Sequence, residues 1–395
     1  MVELVIPGKG IGRHPAGRTI PTGGRGRLPA VSGRVAAVVE QSWHRVPGGT
    51  ASATVRTLEA VARSGRYDVV GIAATHRGRP PDDLVPTVPV RHVPLPRTAL
   101  YEAWHRLGRP SVQRFTGPVD VVHATGGAIP PAGDAALVVT LHDLAFIHRP
   151  GHFTTRGVAF LGRAFELARR RADLIIVPSA ATAEDCAAHG VDRDRLRVVP
   201  WGVEPVPVGE ADRLRVRRRH DLPPSFLLWV GTAEPRKNLR GLLAAHSRMA
   251  NDIPLVLVGP GGWGTDLATL IEASPARVRH LGRVPRDELG VLYDLADVFV
   301  YPSLLEGFGM PVLEAMAQGT AVVTSAGTST EEVVGPDGVV VDPTDVNALA
   351  AALDDLVVDE GRRGELGAAG RARAGTMSWN ATGAAVADVY DEVRG

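Results

Sequence analysis

Two glutamates stand on either side of a glycine-rich turn in the last third of the chain. The stretch LLEGFGMPVLEAMAQGTAVVTS, residues 304–325, places seven residues between Glu306 and Glu314. Proline is favoured at the first helical position and glycine just after a helix, so the pattern predicts a helix that begins near Met310–Pro311 and ends at Gly319. Glu306 then lies in the loop after a predicted strand, and Glu314 lies in the first turn of the helix.

The backbone of this turn offers a site for an anion. Unpaired N–H groups and the positive end of the helix dipole converge at a helix N-terminus, and glycines allow a ligand to approach the chain closely. Carboxylates beside them accept hydrogen bonds from hydroxyl groups, so the combination favours a phosphorylated sugar. The alternative is structural, with Glu314 as a helix-start carboxylate and Glu306 solvated. The residues that form the turn are Phe308, Gly309, Met310, Pro311 and Val312.

A second loop supplies positive charge. The stretch GTAEPRKNL, residues 231–239, follows a predicted strand, which puts Arg236 and Lys237 at the carboxyl end of that strand. Only two of the 44 basic residues are lysines, Lys9 and Lys237, and an ammonium is a more compact point charge than a guanidinium. The loop could neutralise a diphosphate and stabilise it as a leaving group. The alternative is a solvated basic pair at a helix start.

Length and composition indicate two globular domains. The chain has 395 residues, more than the ~250–300 at which a single hydrophobic core stops growing. Hydrophobic residues make up 44% and charged residues 22%, and the apolar runs are far shorter than the ~18 residues that a membrane span needs. The first 32 residues contain no continuous apolar segment, and Cys186 is the single cysteine, so we expect a cytoplasmic protein without disulfides.

The alternation of short apolar runs with longer amphipathic segments predicts an α/β fold. The runs are continuous, as is typical of parallel strands buried on both faces. A proline-containing segment at 203–210 interrupts the pattern, which then restarts, so we expect two doubly wound parallel-sheet domains in series. The predicted strands are 34–40, 68–74, 120–126, 136–143, 173–179 and 197–202 in the first domain, and 226–231, 254–259, 277–282, 297–303, 321–325 and 338–343 in the second.

The predicted organisation has four parts. Residues 1–33, rich in Gly, Pro and Arg, form a flexible extension whose glycines lack the spacing of a dinucleotide-binding loop. The two domains are predicted at 34–210 and 211–378, and a final helix lies within 379–395. Ligands of open α/β sheets bind beyond the carboxyl ends of the strands, so the cleft between the domains is the expected site.

Several motifs together resemble the retaining glycosyltransferases of family 4, which have the GT-B fold of two facing Rossmann-like domains. EGFGMPVLEAMAQGTAVVTS is similar to the family's pair of glutamates, and VGTAEPRKNL is similar to its basic diphosphate loop. TLHDLAF, residues 140–146, resembles its acceptor-domain histidine motif, and VPSAATAEDC, residues 177–186, resembles the last strand–helix unit of that domain. The resemblance covers residues 34–393. It departs at TSTEEVVG, where Glu331 takes the place of the family's common proline before Glu332.

The resemblance implies roles for residues of the second domain. Arg236 and Lys237 would bind the donor diphosphate. Glu306 would contact the donor sugar, close to the backbone from residue 308 to residue 312. Glu314 would accept hydrogen bonds from the ribose hydroxyls. The base would be lined by Arg283 and Val284.

The resemblance also implies roles in the first domain. Gly48 and Gly49, in VPGGT, match the family's first glycine-rich loop, which lets phosphate approach the facing domain. His142 would lie beside the anomeric carbon, and its position at the end of a strand next to Asp143 independently suggests that it could donate to a sugar hydroxyl. His123, also at a strand end, is a second candidate. The final helix within 379–395 would return to pack on the first domain.

The activity that the resemblance implies is sugar transfer from a nucleotide diphosphate sugar to an acceptor hydroxyl, with retention at the anomeric carbon. The departing diphosphate oxygen would help to remove the acceptor proton. Catalysis would rest on His142, Glu306, Arg236 and Lys237, without cofactor or metal, because the cations and helix amides can hold the charge. The motifs are most similar to mannosyl- and rhamnosyl-transferring members, so GDP-mannose is the first expected donor. The expected setting is the synthesis of a cell-envelope glycan, polysaccharide or glycolipid.

Other functions stay open from the sequence. A nucleotide-sugar epimerase shares the two-domain fold, and a non-catalytic protein could bind a nucleotide sugar without transferring it. The intact set of carboxylates, cations and histidine argues against the non-catalytic alternative. An NAD oxidoreductase is disfavoured, because neither domain opens with a G-x-G-x-x-G loop.

Charge is divided unevenly between the two halves of the chain. Residues 1–220 hold 31 basic and 19 acidic residues, or +12, and the remaining 13 basic and 24 acidic residues give −11. Arginines cluster at 169–171 and at 213–219. Because the family's first domain binds the acceptor, this charge predicts peripheral docking to the anionic inner leaflet and a lipid-linked or other anionic acceptor. A soluble acceptor is the alternative, and nucleic acid is not expected, since no aromatic-interleaved basic surface is present.

Overall fold

The computed structural model describes residues 32–44, 48–262, 266–274 and 277–395. Its strands form two sheets whose neighbouring strands are all parallel, so the predicted α/β class is confirmed. The predicted extension at 1–33 lies outside the described residues apart from Ser32 and Gly33, and Gly33 already begins the first strand. Among the described residues, no helix combines the length and apolar character needed to cross a membrane.

The first sheet has seven strands in the order β3-β2-β1-β4-β5-β6-β7. Strand order reverses direction between β1 and β4, which is the switch point where open sheets of this type bind ligands. Most of these strands are buried along their length because helices cover both faces. The strands are β1 Gly33–Val38, β2 Tyr67–Ala74, β3 Val90–Val93, β4 Val121–Ala124, β5 Ala136–Thr140, β6 Leu174–Val177 and β7 Leu196–Val198.

The second sheet has six strands in the order β10-β9-β8-β11-β12-β13. The pattern repeats that of the first sheet, and its switch point lies between β8 and β11, which pair through Leu227 with Val298 and through Leu228 with Phe299. The strands are β8 Leu227–Val230, β9 Leu255–Val258, β10 Val278–His280, β11 Val298–Tyr301, β12 Ala321–Ser325 and β13 Val339–Val341.

Fifteen α-helices lie in the described part of the chain, and most connect consecutive strands. Short 3-10 turns and a π-helical turn at Ala103–Leu107 complete the connections. The helices are α1 Gly48–Arg63, α2 Arg97–Glu102, α3 Gln113–Thr116, α4 Ala145–His148, α5 Thr155–Arg171, α6 Ala180–Ala188, α7 Glu210–Arg219, α8 Leu239–His246, α9 Leu267–Glu272, α10 Arg286–Leu295, α11 Met310–Gln318, α12 Ser329–Val334, α13 Val346–Val358, α14 Glu360–Ala374 and α15 Trp379–Arg394.

The last helix, α15, packs on the first domain, as the resemblance implied. A Cβ at Gly383 would lie 2.6 Å from the Cβ of Ala60 in α1, so glycine permits the two helices to cross closely. Farther along, the hydroxyl of Tyr390 is 2.7 Å from Nδ1 of His123 in β4. His123 also lies 2.8 Å from the hydroxyl of Thr140, so this histidine joins α15 to the sheet.

The arginine-rich helix α7 lies against α10 of the second domain. Nε of Arg213 is 2.7 Å from Asp294, and Nη1 of Arg219 is 2.7 Å from the buried carboxylate of Glu288. His220 and Arg215 contact Glu288 as well. The arginine cluster at 213–219 belongs to the basic half of the chain, residues 1–220. Its side chains nevertheless pair largely with acidic residues of the acidic half.

Candidate active site

The basic loop and Glu306 lie on either side of the second sheet's switch point. Arg236 and Lys237 follow β8 in a short 3-10 turn, Pro235–Lys237, and Glu306 follows β11, the neighbouring strand. Asn238 ends the turn in the left-handed region, at φ 56°, and α8 starts directly after it. Parallel strands that are neighbours end at the same edge of the sheet, so the topology brings the two loops together.

Glu306 accepts hydrogen bonds from both cations. Its Oε2 is 2.9 Å from Nη1 of Arg236, and its Oε1 is 2.5 Å from Nζ of Lys237. The Lys237 side chain is 9% exposed and that of Glu306 is 7% exposed, so the ion pairs lie in a largely dehydrated environment. A charge cluster of this kind is held apart from bulk water, where electrostatic interactions are stronger than at an open surface.

The pKa values follow from this environment. Burial alone would raise the pKa of Glu306, but Lys237 and Arg236 hold it at about 2. Burial and the neighbouring Arg236 lower the pKa of Lys237. Burial also acts to lower the pKa of Arg236, yet Glu306 and Glu234 together raise it above its ordinary value. Glu306 is thus ionised at every physiological pH.

Three residues that the sequence analysis did not single out complete the cluster. Glu234, 7% exposed, lies 2.9 Å from Nη2 of Arg236. Tyr301 accepts a hydrogen bond from Nζ of Lys237 at 2.6 Å, and Ser303 donates to Oε1 of Glu306 at 2.5 Å. Glu234 stands two residues before Arg236 and could have been suspected from that spacing. Nothing local in the sequence signals the roles of Tyr301 and Ser303.

The turn before α11 has the predicted form but offers fewer amides than predicted. Gly309 is left-handed, at φ 103°, and Gly319 ends the helix at φ 80°, as the glycine pattern indicated. The N–H of Val312 donates to the carbonyl of Gly309 at 3.0 Å, and its side chain is fully buried, so a ligand would have to share that N–H with Gly309. Pro311 has no N–H. Of the predicted turn, Met310 is partly buried and Phe308 is 6% exposed.

The helix begins at Met310, as predicted, and Glu314 is its fifth residue, just after the first turn. Its Oε2 accepts a hydrogen bond from the hydroxyl of Tyr293 at 3.2 Å, and Nη2 of Arg286 is 3.6 Å from its Oε1. Burial raises the pKa of Glu314 above its ordinary value. Arg286 also donates to the hydroxyl of Ser52 in α1 at 3.3 Å, so it connects Glu314 with the facing domain.

The remaining predicted donor residues lie around this contact. Gly48 and Gly49 are exposed at the start of α1, the helix that carries Ser52, and Gly48 is left-handed at φ 60°. Arg283 reaches across the cleft to within 3.9 Å of Asp83 in the first domain. Val284 is partly buried against the second domain's core. The structure thus places all four near the edge where the domains meet.

His142 follows β5 and its ring has a defined hydrogen bond. Nε2 lies 2.8 Å from the carbonyl oxygen of Thr125, which can only accept, so Nε2 carries the proton. Burial lowers the pKa of His142, which keeps the ring neutral and leaves Nδ1 with a lone pair. The histidine therefore offers an acceptor to a ligand rather than the donor that was predicted. His123 is 2% exposed and fully engaged with Tyr390 and Thr140, so its pairing points to a structural role.

Gly307 brings the two domains into contact beside Glu306. A Cβ at this position would overlap the main-chain oxygen of His142, so only glycine allows the approach. The carbonyl oxygen of Gly307 accepts hydrogen bonds from Ser179 at 2.7 Å and from Thr182 at 3.0 Å, both at the start of α6. His142 is therefore held next to the loop that carries Glu306.

Glu332 makes a second contact between the domains at the same place. Its carboxylate accepts from the main-chain N–H of Ala180 at 2.9 Å and of Ala181 at 3.3 Å. These N–H groups begin α6, where the helix dipole favours a negative charge. The neighbouring Glu331, the residue that departs from the family pattern, instead accepts from the N–H of Gly327 in its own loop. The helix after residue 327 starts at Ser329 without the proline.

Comparison with known proteins identifies the family of this chain. Residues 47–206 match the family model described as Glycosyltransferase Family 4, and residues 210–373 match the one described as Glycosyl transferases group 1. The D-inositol 3-phosphate glycosyltransferase of Xylanimonas cellulosilytica is 31% identical over 87% of this chain and 91% of its own length. The chain belongs to the family 4 glycosyltransferases.

A second relative of this glycosyltransferase carries the name of a mannosyltransferase. The O-antigen chain mannosyltransferase B of Escherichia coli is 35% identical over 61% of this chain. The aligned part spans 66% of that relative's length.

The solved structure of HepE from Anabaena, in complex with UDP and glucose, has the same fold as this glycosyltransferase. The TM-score is 0.71 at 18% identity, over 91% of this chain and 100% of that chain. The likeness confirms the GT-B fold of two Rossmann-like domains.

Proposed function

We propose that this glycosyltransferase moves a hexose from a nucleotide diphosphate sugar to an acceptor hydroxyl and retains the anomeric configuration. The observation that supports it most is the buried cluster of Arg236, Lys237 and Glu306, which lies beside His142 at the contact between the domains. The two cations, with the carboxylates of Glu306 and Glu234 beside them, suit a ligand with a diphosphate and a hydroxylated ring. Both substrates would meet where the two domains meet.

The cations keep hydrogen-bond donors for a diphosphate. Among the described residues, Arg236 contacts Glu306, Glu234 and the carbonyl of Leu305, and Lys237 donates to Glu306 and Tyr301. A guanidinium has five N–H groups and an ammonium has three, so each cation has at least one more to give. These donors would stabilise the charge that develops on the departing diphosphate. We propose that no metal or other cofactor takes part.

His142 and Glu306 would act on the sugar. The lone pair on Nδ1 of His142 would accept a hydrogen bond from a donor-sugar hydroxyl, which orients the ring above the diphosphate. Glu306 is ionised and could accept a hydrogen bond from a second sugar hydroxyl. In the retaining reaction, the departing diphosphate oxygen takes the acceptor proton while the acceptor oxygen bonds to the anomeric carbon from the same face. Excluding water at this closed contact limits hydrolysis of the donor.

Glu314 is the proposed partner of the ribose. Its Oε2 accepts a hydrogen bond from Tyr293, its Oε1 lies 3.6 Å from Arg286, and Arg286 joins it to Ser52 in the facing domain. We propose GDP-mannose as the donor, on the support of the motifs and of the mannosyltransferase relative. The acceptor would be a growing envelope glycan or a lipid-linked sugar.

A screen of nucleotide sugars tests the donor. GDP-mannose, UDP-glucose and other sugars linked to UDP, ADP or TDP are each added separately in a thermal-shift assay. A donor at ~100 times its dissociation constant should stabilise the folded protein by ~2.7 kcal/mol. We expect GDP-mannose to give the largest shift, and no shift with any nucleotide sugar would contradict the assignment.

A product assay then separates transfer from binding. Release of nucleoside diphosphate that depends on an added acceptor glycan, with an α-linked product from an α-linked donor by NMR, is the expected result. Binding without any release would identify a non-catalytic protein. An inverted linkage would overturn the retaining mechanism while leaving the transferase assignment in place.

We propose only weak contact with the inner leaflet of a membrane. The three arginines at 169–171 and the nearby Glu166 sum to a charge of +2, and Arg169 and Arg170 form ion pairs with Glu166. The cluster at 213–219 is largely neutralised by acidic residues of α7 and α10. Cosedimentation with anionic vesicles should therefore be slight at low salt and vanish at physiological ionic strength, where the Debye length is about 8 Å. Strong, salt-resistant binding would contradict this.

A further inference from the structure

Two histidines and an aspartate form a cluster on the first domain, away from Glu306 and Lys237. Nε2 of His148, the last residue of α4, lies 2.8 and 2.9 Å from the two carboxylate oxygens of Asp185 in α6. Nδ1 of His189, just after α6, is 3.2 Å from the same carboxylate. One nitrogen of each ring and one carboxylate oxygen all lie within 4.8 Å of one another.

The ligand types and spacing match those of a transition-metal site. Imidazole nitrogens bind zinc at ~2.0–2.1 Å and carboxylate oxygens at ~2.0–2.2 Å, so ligand atoms of a tetrahedral site are about 3.3 Å apart. Asp185 lies in α6 and His189 follows four residues later, directly after the helix ends, and the two side chains contact each other. Small rotations of His148 and His189 would bring all three to one ion.

The hydrogen bond of His189 decides which tautomer a metal ion would require. Nδ1 of His189 lies 2.8 Å from the main-chain oxygen of Asp185, a contact in which the ring can only donate. The same Nδ1 lies 3.2 Å from the Asp185 carboxylate, so a metal ion bound there would replace this hydrogen bond and leave the ring proton on Nε2. The side chains are 38%, 25% and 31% exposed for His148, Asp185 and His189, so a metal and a completing water can enter from solvent.

The site would join two elements that lead to the catalytic contact. Helix α4 follows His142 after two residues, and α6 begins with the N–H groups that hold Glu332 and with the hydroxyls that hold Gly307. A metal ion bound at the far end of α6 would tie α4 to α6. It would thereby fix the position of the His142 loop relative to the start of α6.

We propose that His148, Asp185 and His189 bind one divalent transition-metal ion, with Zn²⁺ as the expected occupant, and that this ion stabilises the first domain. The site takes no part in sugar transfer. It neither depends on the proposed function nor tests it.

Metal binding is measured on the full-length chain without an affinity tag, after removal of metal with a chelator. Equilibrium dialysis against Zn²⁺, followed by elemental analysis, gives the number of ions bound, and titration calorimetry gives the affinity. The variants are His148→Ala and Asp185→Asn, the second of which keeps the shape of the side chain. Glu184→Gln is the matched control, because Glu184 is the neighbouring carboxylate on α6 and pairs with Arg193 instead.

We expect one equivalent of Zn²⁺ in the wild-type protein and in Glu184→Gln, with a saturable rise in melting temperature. In His148→Ala and in Asp185→Asn the affinity should fall by more than the ~10- to 100-fold that loss of an outer-shell partner costs. Circular dichroism of each metal-free variant shows that it is folded. If the wild type binds no zinc, or if Asp185→Asn binds it as tightly as the wild type does, the three residues only share hydrogen bonds and the proposal is wrong.

Discussion

At the scale of single residues, the site depends on one carboxylate that two cations hold. Glu306 has a pKa of about 2 in the folded protein, below the ordinary 4.5, because Lys237 and Arg236 outweigh the effect of burial. A lowered carboxylate pKa means that the unfolded chain binds protons more readily than the folded one. The contribution of Glu306 to stability is therefore complete above pH 4.5 and is lost as the pH falls through 2. Sugar transfer near neutral pH does not depend on its titration.

The pairing of Lys237 with Glu306 predicts different effects on activity and stability. Lys237→Met should lower kcat/KM by about 100-fold or more, since one charged donor to the leaving group is lost. It should also destabilise the fold by up to about 3 kcal/mol, because a buried carboxylate loses one of its two cations. The double variant Lys237→Met/Glu306→Gln should recover part of the stability but none of the activity.

Urea denaturation and steady-state kinetics on the two variants check this. Recovery of stability in the double variant would show that the loss in Lys237→Met came from the unpaired Glu306 carboxylate. If Lys237→Met retains wild-type turnover, the lysine does not bind the diphosphate. If it retains wild-type stability, the buried pair contributes little to folding.

The neutral state of His142 predicts how turnover depends on pH. Turnover should fall at low pH, and this fall is the acid limb of the pH profile. Burial lowers its pKa below 6.5, so the ring stays neutral and its acceptor nitrogen stays available from pH 8 down to 6.5. Turnover should be independent of this group in that range and fall at lower pH, where protonation removes the acceptor. The same linkage makes its contribution to stability complete above pH 6.5 and smaller below.

Two variants separate this role from a structural one. His142→Ala should lower kcat by about 10- to 100-fold, as expected for a lost hydrogen bond to a reacting sugar, and should lack the acid limb. His123→Asn, which breaks the contacts to Tyr390 and Thr140, should instead lower the melting temperature and keep the acid limb. An acid limb that persists unchanged in His142→Ala would assign the limb to another group.

At the scale of elements, the loops after β5 and β11 meet at one residue without a side chain. Gly307 lies against the carbonyl of His142, and its own carbonyl accepts from Ser179 and Thr182 of α6. Ser179 also caps α6, since its hydroxyl accepts from the N–H of Thr182. The residue that caps a helix in one domain thus also donates a hydrogen bond to the loop of the other domain that carries Glu306. The spacing of α6 and the loop after β11 cannot change independently.

Adding one methyl group at Gly307 should disturb this contact. Gly307→Ala places a Cβ where the main-chain oxygen of His142 lies, so the domains cannot approach fully. We expect kcat/KM to fall by about 10-fold or more, because a displacement of ~1 Å at a reacting group is costly. The melting temperature should change little, since each sheet keeps its own core.

Gly364→Ala is the matched control for this change. Gly364 lies within α14, where a Cβ would meet no described atom within 4 Å, and alanine is the better helix former. Activity should remain at the wild-type value and stability should stay equal or rise slightly. Full activity of Gly307→Ala would show that the close approach to His142 is not required for transfer.

At the scale of the whole molecule, the features that could be predicted from the sequence are those that depend on residues close together in the chain. The glutamate pair, the helix between Met310 and Gly319 and the doubly wound class all follow from spacing, turn residues and apolar periodicity within short windows. Strand β3 was not predicted, because Val90–Val93 is four residues long and contains exposed Arg91 and His92 at a sheet edge. Its apolar signal is too weak to stand out.

The features that sequence reasoning missed depend on residues far apart in the chain. The protonated nitrogen of His142 is set by the carbonyl of Thr125, and Val312 loses its N–H to a tight turn at Gly309. The arginines of α7 were expected on a basic face, but acidic side chains of α10, about 70–80 residues later, neutralise them. Such pairings require the fold to be known before they can be assigned.

Domain closure is the prediction that belongs to the whole molecule. The two domains are joined through the segment 203–209 and through α15, and polar contacts from Glu332 to α6 and from Arg286 to Ser52 link them across the cleft. Interfaces of this kind allow domains to move by default, so the free protein should sample more open forms. Donor binding to both sides of the cleft should favour the closed form, because a ligand shifts the population toward the state that it binds better.

Glu332 should set how much of the free protein is closed. Glu332→Gln removes the negative charge that pairs with the start of α6, so the free variant should have a larger radius of gyration by small-angle scattering than the wild type. Saturating donor should make both proteins equally compact, at a higher donor concentration for the variant, since part of the binding energy is used for closure. Glu331→Gln is the matched control, because that neighbouring carboxylate bonds within its own loop and should leave the dimensions unchanged. Equal dimensions of the free wild type and Glu332→Gln would remove Glu332 from the closing contact, and equal dimensions of the wild type with and without donor would count against closure itself.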